Sequence, residues 1–142
     1  MSDNNSNLFT VNTSPQWSKY TVTYSQLAAA ATSNDIELLQ LPAKTMLTGA
    51  VIKHSTAFSG GILTNYTVSV GISGTLAKYA SAFNVFQAVS DTTKQVQFEL
   101  AQDIESFANS TSIRVAAVST GTTLDQATAG SVDIWVRTEK LS

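Results

Sequence analysis

At 142 residues, with charged side chains only 13% of the chain and a formal net charge of −2, the sequence is long enough for one domain with a real core and carries no cationic field to hold a phosphate backbone. Nucleic acid is therefore excluded as an expected partner. Cysteine is absent, which removes disulfides, thiolate metal sites and thiol nucleophiles. No run approaches the ~20 apolar residues that span a bilayer, and the opening MSDNNSNLF lacks the basic region and apolar core of an export signal. The expectation is a protein made and folded in a cytoplasm, with no membrane partner.

Residues 1–15 are polar around Leu8, Phe9 and Val11 and end at Pro15. They read as an N-terminal arm that cannot offset its ordering entropy with a core of its own, and so gains order only on a partner. Residues 16–142 read as the folded domain. From Trp17, alternation places Trp17, Lys19, Thr21 and Thr23 on one face and Ser18, Tyr20, Val22 and Tyr24 on the other, a strand expected to reach about Leu27. Ala28 to Ala31 suggest a short helical turn stopped by Thr32-Ser33-Asn34-Asp35.

Ile36 to Leu41 form a second strand whose phase slips after Leu38, as a bulge would make it. Pro42-Ala43-Lys44-Thr45 is a turn. Met46 to Ala57 is a third strand with apolar residues on both faces near its middle, the mark of a central strand. Phe58-Ser59-Gly60-Gly61 is a glycine turn that opens onto a fourth strand, Thr64 to Ile72, where Tyr66, Val68 and Val70 oppose Thr67 and Ser69.

Leu76, Tyr79, Ala80 and Phe83 fall at helical spacing, so Leu76 to Phe86 suggests a short helix or crossing segment, with an apolar loop as the alternative. Alternation returns at Gln95 to Ala101, Ser112 to Thr120 and Ser131 to Thr138. The connections Gln102 to Thr111 and Gly121 to Gly130 read as exposed loops. Seven or eight strands with almost no helix imply an all-β fold, a single antiparallel β-sandwich. The connections after Ile72 and Ala101 suit Greek-key crossings and hence a jelly roll, with an immunoglobulin-like sandwich second.

No catalytic or cofactor-binding set emerges. His54 is the single histidine and sits mid-strand beside Ser55, with no G-x-S-x-G turn to present a nucleophile. One histidine and no cysteine leave a transition metal short of ligands. Asp35 with Glu37, or Asp103 with Glu105, offer paired carboxylates of the glycosidase kind, but such acids are usually solvated. Asp91, Asp103, Glu105 and Asp125 lack the spacing of a calcium loop. The expected inventory is no catalytic residue, no cofactor and no metal. Trp17, Tyr20, Tyr24, Tyr66 and Trp135 would form a sugar-stacking platform if they shared an exposed face, which keeps a carbohydrate-binding module, and a glycan partner, as an alternative.

The runs Leu41-Pro42-Ala43-Lys44-Thr45, Val51-Ile52-Lys53, Phe58-Ser59-Gly60-Gly61 and Thr67-Val68-Ser69-Val70-Gly71, followed by Lys78-Tyr79 and Phe86, resemble small β-sandwich virion proteins of tailed bacteriophages. Ile113-Arg114-Val115 and Asp133-Ile134-Trp135-Val136 look like the closing strands of the same proteins, so the likeness spans residues 17–138. The resemblance implies a non-enzymatic capsid decoration or cement protein at the virion surface, often a homotrimer, seated on the major capsid protein. It implies a tail- or fibre-associated structural protein as the alternative. It brings no active-site residues. The side chains expected to meet the partner are Leu8, Phe9 and Val11 of the arm and Trp17 at its root.

Overall fold

Alternating side chains with β-branched and aromatic residues on one face give strands that each need a second layer to cover that face. The structure, a computed structural model, describes residues 16–86, 93–96 and 108–141, and the arm 1–15 lies outside them. In chain order the elements are β1 (Gln16–Thr23), the one-turn helix α1 (Tyr24–Leu27), β2 (Ser33–Leu41), β3 (Thr45–Ser59), β4 (Asn65–Ile72), β5 (Thr75–Asn84), β6 (Thr93–Val96), β7 (Thr111–Thr120), a 3-10 turn (Leu124–Gln126) and β8 (Ala129–Lys140).

Two four-stranded sheets result, in the orders β1-β8-β3-β6 and β2-β7-β4-β5. Every ladder among the described residues is antiparallel. The first strand pairs with the last, β2 with β7, β3 with β6 and β4 with β5. That nesting is a long hairpin rolled up on itself, the jelly roll expected from the sequence.

The core lies between the sheets. Val22, Ala50, Ile52, Val132, Ile134 and Val136 from the first sheet face Tyr66, Val68, Val70, Ile113, Val115 and Ala117 from the second, all buried. Burial of each such aliphatic side chain contributes about 1.5–3 kcal/mol. Phe58 and Tyr66 pack ring against ring at 4.5 Å between centroids. Burial pushes the Tyr66 phenol up to about 12, so its hydroxyl is neutral throughout the useful pH range.

Five expectations are corrected. β1 ends at Thr23 rather than near Leu27, because the chain turns there: the Thr23 backbone N–H donates to Gln26 Oε1 at 2.8 Å, and Leu27 drops into the core with no exposure. The helical turn is therefore Tyr24–Leu27, ahead of Ala28 to Ala31. Leu76 to Phe86 is neither helix nor loop but mostly strand β5, reached from β4 through Ser73-Gly74 with Gly74 at φ +86°. The connection after Ile72 is thus a tight hairpin turn, not a Greek-key crossing. Gly121 to Gly130 is only partly exposed, since Leu124 and Ala127 close the core from that end.

That same end is tied by the backbone. Thr64 N–H donates to Thr120 O at 2.8 Å, Leu124 N–H to Ala31 O at 2.9 Å, Thr128 N–H to Ser59 O at 2.8 Å and Ser119 N–H to Thr32 O at 2.8 Å. Gly60 is required here: at φ +147° a Cβ would meet Gln126 O at 2.5 Å and Thr128 N at 2.6 Å, closer than any side chain allows. The bulge inferred in the second strand is present between Glu37 and Leu39.

Candidate functional site

His54 points inward from β3 and is 1% exposed, edge-on to Phe83 with 6.5 Å between ring centroids. Its Nε2 has no hydrogen-bond partner among the described residues. Burial pushes its imidazole below the usual histidine range, while backbone hydrogen bonding at Thr56 and Val85 pulls in the opposite direction.

The linkage follows from that shift. A proton binds the unfolded chain, with histidine near ~6.5, more readily than the native state. The His54 contribution to stability is therefore complete above that pH and declines as pH falls below it, the loss ending under the lowered native value. Urea midpoints between about pH 7.5 and pH 5 are expected to fall in the wild type and to fall less in His54→Gln. Parallel slopes in the two proteins would contradict this.

The carboxylates serve the scaffold. Asp35 and Glu37 do share the outer face of β2, as alternation requires. Arg114 holds Asp35 through its Nε and donates from Nη2 to Asp35 O at 3.3 Å. Arg114 Nη1 also donates to Ser112 Oγ at 3.2 Å, and Ser112 Oγ donates to Glu37 Oε1 at 2.8 Å. The Asp125 carboxylate accepts the Thr123 hydroxyl, which holds it below the ordinary range. Among the described residues no three His, Asp or Glu side chains converge as metal ligands. Asp91, Asp103 and Glu105 lie outside the described residues, as do Leu8, Phe9 and Val11.

The five aromatics divide. Tyr66 is in the core, and Tyr20 and Tyr24 pack against it. Trp17 and Trp135 stand on the outer face of the first sheet, where the register builds three rows across β1, β8 and β3: Trp17–Arg137–Gly49, Lys19–Trp135–Val51 and Thr21–Asp133–Lys53. Neighbouring strands are ~4.8 Å apart, so a side chain on β1 reaches β3 only by lying down across β8. Trp17 does this: a Cβ at Gly49 would stand 3.0 Å from its Cη2. Gly49 is the notch that seats the indole.

The surrounding groups hold it there. Arg137 lies with its guanidinium carbon 5.5 Å from the Trp17 ring centroid, itself fixed by donating from Nε to Thr48 Oγ1 at 3.1 Å and from Nη2 to Thr48 O at 3.3 Å. Lys19 Nζ sits 5.5 Å from the Trp135 ring centroid and 3.9 Å from Asp133 Oδ2, and Thr21 Oγ1 donates to Asp133 Oδ1 at 2.7 Å. Trp17 remains 49% exposed, a rigid indole with one side open to solvent.

Two solved structures share this fold. A chain of the cyanophage Pam1 capsid asymmetric unit, 18% identical, superposes with a TM-score of 0.64 over 92% of this chain and 87% of its own. A chain from the capsid of Ralstonia phage GP4, 20% identical, gives 0.59 over 91% and 86%. No family model matches, and no curated protein does. At these identities the likeness is one of fold.

The alternation of the sequence already set Trp17 and Lys19 on one face. It did not reveal the seat, because Gly49, Thr48 and Arg137 are far from Trp17 in the chain. A usable signal was present in β8, where Asp133, Trp135 and Arg137 alternate against Val132, Ile134 and Val136.

Proposed function

We propose that this protein is a non-enzymatic structural protein of a tailed-bacteriophage virion, a capsid decoration or cement subunit that binds the major capsid protein at the outside of the shell. The observation that carries the reading is the jelly roll shared along about nine-tenths of the chain with chains from two phage capsids. Supporting it, the single histidine is sealed in the core and Asp35 and Glu37 are engaged in the Arg114 network. What is left for function is surface.

A subunit that binds only the assembled shell adds its binding free energy to that state. A homotrimer on a threefold site would raise the effect through effective concentration. The arm of residues 1–15, with Leu8, Phe9 and Val11, leads into β1 at Gln16, beside Trp17, and serves as the tether to the shell. Removing residues 1–14 is expected to abolish occupancy on particles stripped of accessory proteins while leaving the urea midpoint of the domain in place. Undiminished occupancy in a co-sedimentation assay would overturn the tether.

A further inference from the structure

We infer that the outer face of the first sheet is the surface seated on that shell, with Trp17 as its anchor and a partner that presents carboxylates; this rests on the decoration reading above. Three observations lead to this face and its counterpart. The first is the seat: an indole laid over Gly49 and braced by a Thr48-bound Arg137 loses little freedom on binding, and tryptophan and arginine are the side chains that most often dominate an interface. The second is charge. Lys19, with its side chain 53% exposed, and Lys53 reach solvent, whereas Asp133 beside them is 9% exposed and occupied by Thr21 and Lys19. Glu139 continues this face of β8 and is half-buried, so among the described residues the exposed charges of the face are the two lysines; on a chain of net charge −2 their complement is acidic.

The third is position. Gln16, which follows the proposed tether in the chain, pairs with Thr138 in this same sheet, so the tether is joined to the sheet that carries Trp17. The outer face of the second sheet lacks this combination. Asp35, Arg114 and Glu37 are engaged with one another and with Ser112, Lys78 lies over the Tyr79 ring, and among the described residues its large exposed apolar side chain is the aliphatic Val118.

The test is co-sedimentation with stripped particles, beside solution mass of the protein alone and urea unfolding of each variant. Trp17→Ala should lower affinity at least about tenfold. Lys19→Glu with Lys53→Glu should lower it comparably, and wild-type affinity should drop as salt rises from about 0.05 M to 0.5 M. Val118→Ser should bind as the wild type does, and every variant should remain fully folded in the absence of urea. If the wild type binds but the first-sheet variants bind equally well, this inference falls and the decoration reading stands. If the wild type ignores the particle, the decoration reading falls and takes the inference with it. If Trp17→Ala dissociates a self-associated protein, or loses retention on immobilised host polysaccharide, while shell binding is unchanged, the face belongs to a second copy or a glycan and the assignment is wrong.

Discussion

Replacing Gly130 by alanine is expected to cost about 4 kcal/mol, a large share of the roughly 5–15 kcal/mol by which a domain is ordinarily stable. Gly130 opens β8 at φ +141°, a conformation that L side chains rarely adopt, and a Cβ there would stand 2.5 Å from Phe58 Cδ2 and 2.7 Å from Cδ1. The ring cannot retreat, because Phe58 is fully buried and packed on Tyr66. Backbone strain and overpacking therefore add. Gly74 separates the two effects: its φ is +86° and nothing lies within 4 Å of a Cβ there, so Gly74→Ala should lose only about 1 kcal/mol. Urea midpoints of the two variants check the contrast, and equal losses would show that the Phe58 contact is immaterial.

Ile52→Ala and Ile134→Ala should each lose about 3 kcal/mol. The two residues face each other across the β3·β8 ladder, and both are fully buried where the sheets meet. Each truncation removes transfer free energy and leaves a cavity that paired strands cannot collapse to fill. Because the side chains border the same space, the double variant should depart from the sum of the singles by at least about 0.5 kcal/mol. Trp17→Ala, on the opposite side of the same sheet, should cost less than either core truncation, about 1 kcal/mol, because half of the indole already meets solvent. Unfolding curves with a common m-value would confirm that these differences report the native state.

The elements legible in the sequence were those with clean two-residue alternation. Tyr66, Val68 and Val70 were placed inward on those grounds, and the phase slip in the second strand located the bulge between Glu37 and Leu39. β5 was misread for an identifiable reason. Val68 pairs with Phe83, Val70 with Ala80 and Ile72 with Thr75, so β5 spends three residues, then five, where β4 spends two. Such irregularities bring Tyr79, Ala80 and Phe83 to helix-like intervals in an extended chain. The helical turn was displaced because Gln26 reaches back to the Thr23 backbone, a local bond that apolar spacing does not encode. The Trp17 seat joins residues from three strands, and nothing local announces it.

The rolled-hairpin order also governs when the chain can acquire its structure. β8 lies between β1 and β3, and the bond from Thr21 to Asp133 closes a separation of 112 residues. A nascent chain that has left the ribosome as far as β7 has no hydrogen-bonding neighbour for β1 and an unfinished β3. Closure of the first sheet waits for residues 129–140, which places the domain among slowly folding β topologies, in the range of about milliseconds to seconds. Until then the apolar faces of β1 and β3 are open to chaperones and to other nascent chains, so rapid synthesis would load the folding machinery of the cell that makes it.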